Sequence, residues 1–314
     1  MTTVLNDHAT EERRIDPYRD LRDRLVEAQL LFPTGVEGLY GRSATYQGIL
    51  ESINRQVQQW ATALAATSIF LPPVIARQTF DSTNYLQSFP DLMGSVHVFR
   101  GNDRDHAELV RRVQADGDWP ALLEPAEVVL SSAACHALYP MCTGALPPGG
   151  RRFEVSGFCF RHEPSMDPAR MQAFHMHEVV YVGDPARAED HRDRGLEYGL
   201  ALLGELGLEM SAVPANDPFF GRLGTVLAAG QLEEELKIEG VTPICSVEKP
   251  TAIMSANCHR DHFGAPFAIH NEDGSVAHSA CVAFGVDRIA IALLAAHGLS
   301  PERWPSSVRR RLWP

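Results

Sequence analysis

Two short runs carry most of the residues that could do chemistry: Phe160-Arg161-His162-Glu163 and Phe174-His175-Met176-His177-Glu178. Each lies in an aromatic, β-prone stretch, and a strand alternates its side chains between two faces. On that reading Arg161 and Glu163 share a face, opposite Phe160 and His162. Phe174, Met176 and Glu178 share a face, opposite His175 and His177. The turn-rich PSMDPAR between the runs adds Arg170. If the two faces match, the hairpin presents two arginines, two carboxylates and an aromatic ring. Guanidinium forks grip phosphate bidentately, a ring stacks on a base, and a carboxylate can hold an exocyclic amine or a metal. That is a kit for ATP. A solvated hairpin with cross-strand ion pairs is the other reading of the same spacing.

Further on, Asp287-Arg288 follows Gly285 at the start of a Leu/Ala-rich helix. A helix N-terminus attracts phosphate, although Asp and Arg also stand there for capping. Metal-ligating residue types are scattered: Cys135, His136, His175, His177, Glu178, Cys258, His259, His262 and Cys281. A catalytic zinc takes about three such ligands and keeps one position open. No CxxC or HExxH spacing is present, so local spacing singles out no triad.

The elements that must position these residues follow from periodicity and punctuation. Residues 17–31 have helical apolar spacing with Pro17 at the start. Gly35, Gly38 and Gly41 mark a loop. Residues 44–66 read as a long amphipathic helix closed before Pro72-Pro73. Residues 153–183 read as the hairpin, 187–207 as a helix, and 223–239 as helix-forming with an alternating end. The segments 243–248, 251–257 and 276–284 read as strands, and a helix runs from Gly285 to Gly298. Strands joined by hairpin connections and flanked by helices predict an α+β fold with an antiparallel sheet. The division expected is a helical N-terminal extension over 1–43 and a catalytic domain over 44–314, with a helical insertion near 219–236.

Composition bounds the function classes. The chain has 314 residues, 45% hydrophobic, enough for a full core. No apolar run reaches the ~18 residues a membrane span needs, and the polar N-terminus shows no secretory signal. Six dispersed cysteines suit buried thiols or metal ligands in a reducing compartment, which predicts a cytoplasmic location. The net charge of −12 lacks the global basic footprint usual for nucleic-acid binding.

The order of the parts resembles class II aminoacyl-tRNA synthetases. The long helix ending at Pro72-Pro73 resembles their dimer-forming first motif. Phe160-Arg161-His162-Glu163, the loop to Arg170, and Phe174 to Glu178 resemble the second. Ala283-Phe284-Gly285-Val286-Asp287-Arg288 resembles the third. The resemblance covers roughly 44–298. Within the class the sequence is similar to the atypical zinc-dependent seryl-tRNA synthetases of methanogens and to their truncated bacterial homologues, the amino acid:carrier protein ligases.

That resemblance implies a Zn2+ held by Cys135, Glu178 and Cys281, with the substrate amino group at the open position. It implies Arg161 on the α-phosphate as the catalytic arginine, Glu163, Arg170 and Met171 on the adenine side, Phe174 stacked on adenine, and Arg288 on the γ-phosphate of Mg-ATP. Glu178 would also contact the amino acid. Ser255 and Asn257 match a Ser-Asn stretch of the seryl enzymes, and the usual acidic ATP ligand falls at Ala252, a departure for which Glu248 or Lys237 would substitute.

About 43 residues precede the first-motif helix, too few for an RNA-binding domain of normal size. The resemblance therefore points to a carrier-protein ligase: a homodimer that activates a small amino acid, glycine or alanine favoured, and transfers it to a phosphopantetheine thiol, with no tRNA partner. The alternatives are a minimal seryl-type tRNA synthetase and a non-catalytic regulatory paralogue. The latter would have lost a motif arginine or zinc ligand, and all are present. Docking candidates for an acidic carrier are residues 219–236, with Phe219, Phe220 and Arg222, and the cluster Arg309-Arg310-Arg311. Each reads equally as a solvated helix and a loose basic tail.

Overall fold

The computed structural model describes residues 16–215 and 236–314. The expected docking helix falls outside the described residues except for Leu236.

A seven-stranded sheet organises the chain. Its strands are β1 (Thr67–Ile69), β2 (Arg151–Phe160), β3 (Ala173–Gly183), β4 (Ser211–Pro214), β5 (Lys237–Thr242), β6 (Thr251–Arg260) and β7 (His278–Gly285). Their spatial order is β4-β5-β6-β7-β3-β2-β1, antiparallel throughout except for the parallel edge pair β1–β2. The antiparallel α+β expectation holds. β3 is an interior strand and reads Glu178-Val-Val-Tyr-Val182, buried on both faces, so its apolar run is continuous instead of alternating.

One face of the sheet lies under helices α2 (Ala44–Ala63), α3 (Pro185–Glu205) and α4 (Val286–His297), while α1 (Pro17–Glu27) joins the same core through Leu21 and Leu25. α2 starts at Ser43, whose hydroxyl accepts from Tyr46 N at 3.1 Å. It buries Tyr46, Ile49, Leu50, Ile53, Val57 and Ala61, a helical stripe, against Val282, Phe284 and α4. Truncating one of the larger buried aliphatics to alanine costs about 2–5 kcal/mol. α3 presents Gly195 and Gly199 to the sheet: a Cβ there would meet Val282 Cγ2 at 2.2 Å and Met254 Cε at 2.4 Å. α5 (Ser306–Leu312) buries Val308 and Leu312 in the same core, so the basic C-terminus is a docked helix and not a loose tail.

Several boundaries differ from the sequence reading. α2 ends at Ala63, three residues early, because the chain turns into edge strand β1. Gly41 lies in a short strand (Tyr40–Arg42), not a loop. Residues 243–248 form no strand; they are the turn between β5 and β6. The first hairpin strand stops at Phe160, because His162 N donates to Leu92 O at 2.9 Å and draws the chain toward a neighbouring lobe. Strict alternation therefore does not reach Arg161 and Glu163. That lobe, residues 74–130, had no reading from sequence. It is a three-stranded antiparallel sheet (Val74–Ala76, Ser95–Val98, Glu124–Leu130) with short helices, built on a small core around Ile75, Phe80 and Val129.

Candidate active site and metal centre

Cross-strand partners in an antiparallel sheet point to the same side. The register places Lys237, Asn257 and Cys281 in one row, and Glu239, Ser255, Ala283 and Glu178 in the next. Met176 and Phe174 continue that face along β3, as expected from alternation. This is the face that α2, α3 and α4 leave uncovered.

Here the sheet meets residues 131–138, the loop leaving the lobe. Ala134 N donates to Glu178 Oε1 at 2.8 Å and Cys135 N at 3.4 Å. The Cys135, Glu178 and Cys281 ligand atoms lie within 4.8 Å of one another, with each residue no more than 4% exposed. Of the nine candidate ligands, these three converge. His177 sits on the opposite face between Asn54 and Glu154, at 2.9 Å from each. His262 Nε2 lies 3.3 Å from Thr83 O, and Cys258 points away from the triad.

Burial, with Cys281 next in weight, pushes the Glu178 carboxyl up to about 7. The Cys135 thiol donates toward the Cys281 sulfur, which holds Cys281 below the ordinary thiol range and Cys135 above it. Asn257 Nδ2 donates to Cys281 Sγ at 3.3 Å and to Ser255 Oγ at 3.1 Å. Two thiols and a carboxylate in a dry recess are a donor set suited to zinc, and three ligands leave a fourth position open.

Beside the triad is a basic recess. Arg161 donates to Ser132 O at 3.2 Å, and its guanidinium stands 5.6 Å from the Phe174 ring centroid. Arg170 pairs with Glu163 at 3.3 Å. Arg288 donates to Ala169 O and Ala252 O at 2.9 and 3.0 Å, which straps the hairpin loop to β6. Burial, then the positive charges of Arg161 and Arg170, pull Arg288 below the ordinary guanidinium value. Three guanidiniums sharing a recess repel one another, an arrangement that favours an anion among them.

The remaining predicted residues are distributed unevenly. Lys237 forms an ion pair with Glu239 at 3.2 Å on the active face. Ala252 contributes its carbonyl to Arg288, while Glu248 is exposed in the β5–β6 turn. Met171 is buried in the main core with its sulfur 3.9 Å from Arg42 Nη2.

Two residues were missed from sequence. Glu239 is an acidic group on the active face, opposite Ser255, and strand alternation from Lys237 could have found it. Arg42 donates from Nε and Nη2 to the two Asp287 oxygens, each at 2.9 Å. Asp287 also accepts from His175 N at 2.6 Å and the Tyr46 hydroxyl at 3.1 Å. The Asp of the third motif is thus a buried pin joining α2, β3 and α4, and no local pattern marks Arg42 as its partner.

The sheet order, the antiparallel hairpin and the basic recess define a class II synthetase-type catalytic fold. M. kandleri SerRS in complex with A. aeolicus tRNASec shares that fold, with a TM-score of 0.79 at 22% identity over 96% of this chain and 62% of that chain. An amino acid–acyl-carrier-protein ligase of Bradyrhizobium diazoefficiens is 40% identical over 97% of this chain and 92% of its own length. The chain belongs to the amino acid–acyl-carrier-protein ligases, and is therefore a ligase. A type-2 serine–tRNA ligase of Methanopyrus kandleri is 27% identical over 77% of this chain, which spans about half of that relative's length. No family model matches the sequence. Among the described residues no helix is long and apolar enough to cross a membrane.

Proposed function

We propose that this ligase activates a small amino acid with ATP and passes the aminoacyl group to the phosphopantetheine thiol of a carrier protein. The observation that supports it most is the meeting of a Cys135–Glu178–Cys281 donor set and an Arg161–Arg170–Arg288 recess on one sheet face, in a chain 40% identical to a carrier-protein ligase.

In this reading ATP lies in the recess. Phe174 stacks on the adenine, and Glu163, Arg170 and the backbone at Met171 hold its edge. Arg288 takes the γ-phosphate, and Lys237, Glu239 and Ser255 complete the wall near the Mg2+. Arg161, already oriented by Ser132 O, grips the α-phosphate and stabilises the charge that grows there as the amino-acid carboxylate attacks and pyrophosphate leaves. Zn2+ held by Cys135, Glu178 and Cys281 would supply a Lewis acid that takes the substrate amino group. Asn257 and Glu178 flank the amino acid and help aim its carboxylate at the phosphorus. The carrier thiolate then attacks the adenylate carbonyl, a thioester forms and AMP leaves.

The edge strand β1, followed by Phe70 at 82% exposure, offers a surface for a second copy, consistent with a homodimer. The arginine-rich face of α5 is a candidate for acidic carrier contact.

Incubating the enzyme with ATP, labelled glycine and either holo-carrier protein or bulk tRNA tests the acceptor. Label on the carrier is the expected result. Label on tRNA alone would favour the serine–tRNA ligase likeness, and no amino-acid-dependent ATP–pyrophosphate exchange with any small amino acid would favour a regulatory protein.

A further inference from the structure

Cys281 has a companion that the donor set alone does not explain. Its Sγ lies 3.6 Å from His259 Nε2, and His259 Nδ1 lies 3.1 Å from the Ser279 hydroxyl. Ser279 is 1% exposed and stands two residues before Cys281 on β7, so both side chains face the same side.

The backbone is distorted where this imidazole sits. Cys258 pairs with Ala280, yet the next partner of Ser279 is Arg260, which leaves His259 as the extra residue of a bulge. Arg260 is held at φ 53°, in the left-handed region that a residue with a Cβ adopts at a cost. Bulges of this kind re-aim a side chain beside a functional site. The ring is also caged: Phe263 meets it edge-on at 5.0 Å and Tyr139 at 6.5 Å, while Tyr139 and Phe263 stack on each other at 3.9 Å.

We propose that His259 is a positioning residue of the metal centre, aimed by the β6 bulge and fixed by Ser279 so that its Nε2–H donates to Cys281. Ser279 supplies its hydroxyl proton to Nδ1, which puts the imidazole proton on Nε2. Asn257 donates to the same sulfur at 3.3 Å, so Cys281 receives two N–H groups. A thiolate held in this way would keep a lone pair for a metal shared with Cys135 and Glu178. Partners of this kind set ligand orientation and are worth about 10–100-fold in metal affinity. The inference rests on reading Cys135, Glu178 and Cys281 as zinc ligands.

The test is competition for zinc between the full-length enzyme and a chromophoric chelator, with the Co2+-substituted spectrum as the second readout. His259→Leu is expected to weaken zinc about 10–100-fold and to shift the sulfur-to-cobalt band. His259→Gln, which returns an N–H near the Nε2 position, should recover most of the affinity and the band position. Ser279→Ala should give a smaller loss in the same direction. Zinc affinity and a cobalt spectrum unchanged in both His259→Leu and Ser279→Ala would overturn the proposal. If His259→Leu fails to fold, Ser279→Ala decides it on the same readouts. Cys281→Ser separates the two layers, since undiminished zinc binding there removes the metal reading itself.

Discussion

The two faces of the central sheet are built from neighbouring residues of the same strands and have opposite characters. Glu178, Cys281 and Asn257 point to one side, while Val179, Val282 and Ala256 point to the other. The helix-covered side is sealed with aliphatic and aromatic groups. Asn54, His177, Glu154 and Ser68 form one chain of polar groups there, in which His177 holds the Glu154 carboxyl low. The open side keeps a carboxyl raised to about 7 and three arginines that repel one another. The supporting face carries one linked polar chain in an apolar setting, and the working face gathers charges that a substrate and a metal would complete. A one-residue slip of register would exchange the two sets, which is why the pinning contacts matter.

Substitutions can break this contrast or sharpen it. The largest effect is expected at the pin between the faces. Asp287→Ala leaves Arg42 buried without its carboxylate and should cost about 3–5 kcal/mol, read as a lower urea midpoint, with activity falling in step. Arg161→Ala should do the reverse. ATP–pyrophosphate exchange is expected to fall about 10²–10³-fold while the urea midpoint stays put, since the residue serves the working face.

Third is a pH effect confined to the working face. The folded-state value of Glu178 lies above its ordinary 4.5, so its contribution to metal-free stability is full below about pH 4.5 and is lost as pH rises through about 7. At 1.36 kcal/mol per unit this amounts to about 3 kcal/mol. Urea titrations of chelator-treated protein should show the decline, and Glu178→Gln should flatten it. The smallest of the four lies on the sealed side: Gly195→Ala forces a Cβ against Val282 and should cost about 1–3 kcal/mol, seen as a lower melting temperature with zinc affinity unchanged.

The sequence showed the parts whose information is local. The long helix with Ser43 at its head, the aromatic hairpin and the Gly285 turn into α4 all announce themselves by period and punctuation. Residues brought together from afar were not legible in this way. Cys135, Glu178 and Cys281 come from a loop and two strands, so no spacing relates them, and only the family resemblance selected them. Arg42 reaches Asp287 across 245 positions. The lobe at 74–130 escaped notice because its strands are mostly short and its helix Asp103–Gln114 buries no residue. The bulge at His259 is a property of pairing between strands, invisible until β7 is laid beside β6.

One short loop joins two chemistries. Ser132 holds Arg161 through its carbonyl, and three residues later Cys135 offers its sulfur while its amide and that of Ala134 bind Glu178. Shifting that loop would move Arg161, the arginine proposed to grip phosphate, together with the Cys135 thiol. On the proposed reading, occupancy of the cysteine site and affinity for the nucleotide would then be thermodynamically linked through this loop. Linkage of this kind is reciprocal: whatever factor the ion adds to ATP binding, ATP returns to the ion.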